Sequence, residues 1–219
     1  MKKCPYQILY EDENVLSVYK ERNVFSVATE DIKTRYQNLF SYLKSYAKRK
    51  GENIYLVHRL DYETSGVMVF AKNQETLRYL KDCFENRSVI RLYEAVVKEN
   101  VKEDYHILFS QMIKESASYK VKEDEKGKEA ITEIYYGNKI QIGTALRIQI
   151  HTGRKNQIRL ALHSLSLTLI GDKRYAKDTA KRMYLNSYAL IFPKSDLLKE
   201  SRFITPCLWL IDPMFDYNN

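Results

Sequence analysis

Apolar residues follow two different periods along this chain. Near the N-terminus, Ile8-Leu9-Tyr10 and Val15-Leu16-Ser17-Val18-Tyr19 are short apolar runs separated by the turn-forming Asp12-Glu13-Asn14, a pattern that predicts two strands. From Asp31 to Lys50 the period changes. Tyr36, Leu39, Phe40, Leu43, Tyr46 and Ala47 recur at helical spacing, and Gly51 stands where a C-terminal cap belongs. Ile54 to Val57 and Val67 to Ala71 read as buried strands, with the polar segment His58 to Gly66 between them. Asn73 is placed to cap a helix through Phe84, with Leu77, Leu80 and Phe84 on one face. Further strands are predicted at Val89 to Val97, Ala117 to Val121, Ala130 to Tyr136, Ala145 to Ile150, Tyr184 to Phe192 and Phe203 to Ile211. Turns are expected at Asp124 to Gly127 and at Gly137-Asn138, and a short helix from Lys155 to Leu165. Many antiparallel-type strands with three or four helices imply an α+β class, a mixed and mostly antiparallel sheet flanked by helices.

Composition narrows the picture. At 219 residues, 44% hydrophobic and 29% charged, the chain can build one sizeable core or two small lobes. Seven Gly and four Pro, without repeats or low-complexity tracts, mark no flexible linker, so residues 1–219 are expected to form a single domain; a monomer is expected. No apolar run approaches a membrane span, and no apolar signal region follows Met1-Lys2-Lys3-Cys4-Pro5. The expectation is a cytoplasmic protein without membrane contact. Cys4, Cys83 and Cys207 are odd in number and far apart, which predicts neither a disulfide framework nor a zinc site.

Charge adds a partner class. The net charge is +8. Nine Lys/Arg against Asp172 and Asp178 give +7 from Arg147 to Arg182, and six against Asp31 give +5 from Asp31 to Lys50, whereas Val101 to Glu129 balances at −1. Clustered base is the footprint of a polyanion partner, though a solvated lysine-rich surface gives the same count.

Two segments carry candidate chemistry. His58-Arg59-Leu60-Asp61-Tyr62-Glu63-Thr64-Ser65-Gly66 follows a strand and precedes another. A carboxylate there can be half-shielded from water, which tunes its ionisation. The second, Leu146 to Arg159, runs from a strand through Gly153 into a helix start. Its first N–H groups, with Arg154 and Lys155, make a phosphate cradle conceivable. Taken alone, the first reads rather as a hydrogen-bonded turn and the second as a solvated basic face.

Together these segments resemble the RluA-type pseudouridine synthase family. Residues 58 to 66 match its His-Arg-Leu-Asp-x-x-Thr-Ser-Gly signature at every specified position. Thr152 to Arg159 fits seven of the eight positions of Thr-Gly-Arg-x-His-Gln-Ile-Arg, with Asn156 in place of His. Gly171-Asp172-Lys173-Arg174-Tyr175 matches Gly-Asp-x-x-Tyr, and Arg91-Leu92-Tyr93-Glu94-Ala95 looks like Lys-x-Tyr-x-Ala. The resemblance runs from about Ile8 to Pro193. Departures are Lys20-Glu21 for the usual Lys-Pro, and Asn186 for a His in a late strand.

The resemblance implies a two-lobed catalytic domain with a central cleft, and isomerisation of uridine to pseudouridine in structured ribosomal or transfer RNA without cofactor or metal. It implies Asp61 as the essential carboxylate, Arg159 as the basic residue paired with it, and Tyr93 as the active-site tyrosine that stacks on uracil. Arg59 is implied to fill the space that the target base vacates. Arg154, Lys155, Lys173 and Arg174 are candidate RNA contacts from their place in the basic stretch. His58 is expected to order its loop by hydrogen bonding. Two other readings compete. A non-catalytic RNA-binding or RNA-folding protein would keep the basic face without needing Asp61. A metal-dependent nuclease would use Asp61 with Glu63, but no further acidic cluster in the sequence supports two-metal chemistry.

Overall fold

In this computed structural model, residues 4–31, 34–102, 106–114, 121–123 and 126–210 are described. The elements are β1 Tyr6–Glu11, β2 Val15–Lys20, α1 Leu39–Arg49, β3 Tyr55–Leu56, β4 Ser65–Ala71, α2 Gln74–Glu85, β5 Ile90–Val97, β6 His106–Lys114, β7 Val121–Glu123, β8 Lys128–Ile140, β9 Gly143–Ile150, α3 Gln157–Ser164, β10 Leu185–Ile191 and β11 Arg202–Ile204. They fall into two compact units. One holds Met1–Ile90 with Ser187–Thr205, the other Arg91–Asn186 with Pro206–Asn219.

In the first unit the sheet runs β1-β2-β4-β10, with β3 also on β4 and β11 on β10. The predicted turn between β1 and β2 forms because Asp12 Oδ1 accepts the N–H groups of Asn14 and Val15, at 2.8 and 2.7 Å. β4 is buried at all seven positions, as its unbroken apolar run requires. Its Val67 and Val69 pack with Leu80 and Cys83 of α2 and with Val15, Leu190 and Phe203. Each such aliphatic side chain stabilises the fold by roughly 1.5–3 kcal/mol when fully buried. Asn73 caps α2 as expected, accepting from Thr76 N at 2.8 Å.

α1 begins later than its apolar period suggests. Asn38 is extended (φ −135°) and its side chain accepts from Ser41 N at 2.9 Å, so the cap fixes the helix start at Leu39. Within 31–38, Thr34 N bonds the Asp31 carbonyl in a separate turn at 2.9 Å.

In the second unit the order is β5-β9-β8-β6-β7. The ladders β5–β9, β9–β8, β8–β6 and β6–β7 are antiparallel, as are β1–β2, β2–β4, β3–β4 and β10–β11 in the first unit. The α+β class follows. Gly137-Asn138 is not a turn. β8 runs through it to Ile140, with an irregularity between Tyr136 and Asn138, and Ile140 pairs with Gly143. Glycine is needed at 137 for close approach, since a Cβ would run into the Leu210 side chain and the Ala145 carbonyl. β6 was not foreseen from the sequence. Most of the expected strand Ala117 to Val121, part of the turn at 124–127 and Ile211 lie outside the described residues. The strand expected over 203–211 shrinks to β11, and residues 207–210 are held by other means.

Candidate active site

The loop that carries Asp61 lies in the first unit and is fixed by its neighbours. Ser26, itself buried, clamps Leu60 from both sides. Its Oγ donates to the Leu60 carbonyl at 2.7 Å and accepts the Leu60 N–H at 3.1 Å. Thr64 N closes a turn onto the Asp61 carbonyl at 3.2 Å. Gly66 ends the loop at φ +126°, where a Cβ would collide with the backbone of Ser187. His58 orders the stem, its Nε2 accepting from Val69 N at 3.1 Å while its ring stacks on Phe84 at 4.9 Å. Asp61 is half-buried and Arg59 exposed. Tyr62 packs its ring on Phe25 at 4.4 Å and stays 41% exposed.

Lys20 lies beside this loop, and the sequence reading gave it no role. It is fully buried at the end of β2. Its Nζ donates to the carbonyls of Glu21, Val24 and Tyr62 at 3.0, 2.9 and 3.4 Å. The ammonium thus ties the 21–24 turn to the carbonyl of Tyr62, the residue after Asp61. Burial pulls its pKa down to about 7, while the negative charges of Asp61 and Glu21 work in the opposite direction. A lysine closing an otherwise apolar strand was the available signal.

The second unit holds Tyr93 and Arg159. Tyr93 is buried on β5, 8% exposed, with Ile148 of β9 opposite. Arg159 is buried on α3. Its Nε and Nη2 grip both oxygens of Asp172, at 2.8 and 2.6 Å. This partner was not foreseen. Asp172 Oδ1 also accepts from Arg174 N and Tyr175 N at 2.8 and 3.1 Å. Burial alone would raise the Asp172 pKa, but the guanidinium and those N–H groups hold it below its ordinary value. The Arg159 guanidinium also lies 5.4 Å from the centre of the Tyr175 ring. The Gly171-Asp172-x-x-Tyr175 motif is therefore a brace for Arg159, reached through Gly171 at φ +80°.

The start of α3 is partly committed. Gln157 Oε1 accepts the Arg154 N–H at 3.0 Å, and Arg154 Nε donates to the Glu129 carbonyl at 2.8 Å. One N–H at the edge of the phosphate cradle expected from sequence is thus already engaged. Asn156 adopts a left-handed conformation (φ 58°) and donates to Tyr175 Oη at 3.3 Å. Asparagine tolerates that conformation well. Lys155 and Lys173 are exposed and Arg174 is half-buried. Asp61 and Arg59 lie in one unit, and Tyr93, Arg154, Lys155, Arg159, Lys173 and Arg174 in the other. Among the described residues, no group of three or more His, Cys, Asp or Glu side chains is arranged to hold a metal ion. No helix among them is long and apolar enough to cross a membrane.

Residues 14–164 match the RNA pseudouridylate synthase family. The chain belongs to that family. It is 31% identical over 215 residues to a Vibrio vulnificus protein named dual-specificity RNA pseudouridine synthase RluA, covering 92% of this chain and 83% of that one. An RNA pseudouridine synthase of Aquifex aeolicus is 34% identical over 183 residues, 80% of this chain. The chain spans 57% of that relative's length, and 69% of a Helicobacter pylori relative that is 32% identical. The fold is also that of the human RNA pseudouridylate synthase domain containing 4 protein, with a TM-score of 0.74 at 20% identity over 91% of this chain and 87% of that one. The α+β pseudouridine synthase fold inferred from sequence is thereby established.

Proposed function

We propose that this chain isomerises uridine to pseudouridine in structured ribosomal or transfer RNA, with Asp61 as the essential carboxylate. The observation that carries the reading is the complete match at residues 58–66, on a loop whose backbone is clamped by Ser26 and closed by Gly66. Such clamping suits a group that must meet its target within a fraction of an ångström.

The reaction breaks the bond between ribose C1′ and uracil N1, turns the base, and joins C1′ to C5. The C5 hydrogen leaves as a proton and N1 gains one, so substrate and product are isomers and no net oxidant or reductant enters. Asp61 splits the exchange into easier steps as a nucleophile, at the sugar or at C6 of the base, or as a base toward a sugar proton. Arg159, steadied by Asp172, offers a planar cation to hold a carboxylate ionised and aligned. Tyr93 stacks on the uracil and presents a hydroxyl for proton transfer. The base leaves its stack to react, with Arg59 filling the gap and Arg154, Lys155, Lys173 and Arg174 meeting phosphates.

Asp61→Asn is nearly isosteric and removes the charged oxygen. It should cut tritium release from RNA containing 5-tritiated uridine by several orders of magnitude, while RNA binding and the thermal melt stay close to wild type. Wild-type release by the Asn variant sinks the assignment. A wild-type protein that binds RNA but releases no tritium favours the non-catalytic RNA-binding reading, and RNA strand cleavage that disappears in chelator favours the nuclease.

A further inference from the structure

The solvent face of α1 carries a pattern that this chemistry does not use. Leu39, Leu43 and Ala47 point inward, which leaves Tyr42, Lys44, Lys48 and Arg49 on the exposed side. Two aromatic rings stand in water here. Tyr36 is 74% exposed and Tyr42 37%. Tyr36 is fixed next to the helix. The Arg35 carbonyl accepts from Ser41 Oγ at 3.1 Å and from Asn38 Nδ2 at 3.2 Å, and Asn38 Nδ2 also bonds the Thr34 carbonyl at 2.8 Å. These bonds lay the 34–38 turn against the first turn of α1.

The charge on this surface has one sign. Residues 34–50 contain five Lys/Arg and no Asp or Glu. Lys50 is answered by Glu11 at 2.7 Å. Two of the other cations lean on rings, Arg35 at 5.8 Å from the centre of Tyr36 and Lys44 at 4.7 Å from that of Phe40.

We propose that this face binds an unpaired stretch of the substrate RNA, with Tyr36 and Tyr42 as stacking platforms and Lys44 and Lys48 on the phosphates. The proposal rests on RNA being the substrate. Charge complementarity selects a polyanion. The exposed rings select a single strand, because the bases of a duplex have no open face for a side chain to stack on. A membrane surface fits less well, since the aliphatic residues of α1, Leu39, Leu43 and Ala47, are buried in the unit and none is left to insert. A protein partner would use the tyrosines but not Lys44 and Lys48, since lysine is depleted at protein interfaces where tyrosine is enriched. The helix is on the order of 16 Å long, enough for a few nucleotides.

The test uses the full chain, a labelled single-stranded oligoadenylate and an RNA hairpin duplex of equal charge. The pair Tyr36→Ala with Tyr42→Ala should weaken single-strand binding by about 5- to 150-fold for each base that loses its platform. Duplex binding should hardly change, and Tyr36→Phe with Tyr42→Phe should keep affinity because the rings remain. Lys44→Gln with Lys48→Gln should flatten the plot of log affinity against log salt by about 1.4, given about 0.7 per phosphate contact on single strands. Unchanged affinity and slope in all three pairs overturns the surface. Equal losses on single strand and duplex overturn the stacking. Thermal melts run alongside, and the glutamine pair still reports on the surface if the alanine pair unfolds. Tritium release in the same preparations separates the two readings. A wild type that binds through α1 without release sinks the catalytic reading alone, and release with unaltered binding in the variants sinks the surface alone.

Discussion

Lys20 shows how much one side chain depends on its surroundings. Its folded pKa is pulled down to about 7 by burial, from an ordinary value near 10.4. The sign of the linkage follows. Below about pH 7 both folded and unfolded chains carry the proton, and the full cost of burying the ammonium is present. Between about 7 and 10.4 the unfolded chain binds a proton that the folded one has shed, so stability rises with pH. Lys20→Met has no such dependence. Its melting temperature relative to wild type should therefore fall steadily from pH 7 to 10. Deprotonation also removes the positive charge beside Asp61 and loosens the tie to the Tyr62 carbonyl, so wild-type turnover should show an alkaline limb beginning near pH 7. A pH–rate profile of Lys20→Met that keeps the same limb would assign it to another group.

At the scale of elements, the same kind of tie decides where the chain after β11 goes. Glu94 is fully buried on β5, next to Tyr93. Its Oε1 accepts from Asn186 Nδ2 and Leu208 N at 2.9 and 2.7 Å, and its Oε2 from Trp209 N and Leu210 N at 2.9 and 3.3 Å. A strand was expected over 203–211. A carboxylate replaces the ladder instead, satisfying the three successive backbone N–H groups of Leu208, Trp209 and Leu210, the last of them buried. Trp209 adds a ring 5.0 Å from the Arg182 guanidinium, which also lies 5.1 Å from Tyr184. The asparagine at 186, where the resemblance led one to expect histidine, is explained locally by its bond to Glu94. Glu94→Leu leaves those N–H groups unmet and should cost roughly 2–4 kcal/mol in urea unfolding. Amide exchange at 208–210 should speed up most. Exchange at those three positions unchanged from wild type would show that other contacts hold the segment.

For the whole molecule the governing quantity is charge. A net +8 favours encounter with any polyanion but does not select one. The stretch 147–182 is the most basic of those compared, and within it Lys173 and Lys177 are exposed while Arg174 is half-buried. Reversing all three charges should weaken RNA binding across sequences and reduce its salt dependence, with about 0.7 to 0.9 of slope lost for each phosphate contact. Circular dichroism should show the fold intact. An unaltered salt slope would remove this stretch from the RNA footprint.

Most element types and the local chemistry were legible in residue order alone, though not β6 or the segment after β11. Period-two and unbroken apolar runs became β2, β4, β5, β9 and β10, helical periods became α1, α2 and α3, and Asn73 capped α2 where its side chain predicts. The loop at 58–66 was legible because nine consecutive residues carry a pattern, and the family follows from the same residues. Tertiary structure decided what depends on partners distant in the chain. Ser26 clamps Leu60 from 34 positions away, Lys20 reaches the Tyr62 carbonyl across 42, and Glu94 captures backbone N–H groups more than 110 residues on. Arg159 takes Asp172 as its two-point partner from 13 residues on, a choice set by the Gly171 turn rather than by helix spacing. Propensity and periodicity act over a few residues. Burial of a charge and satisfaction of a buried N–H are settled only when separate segments are brought together.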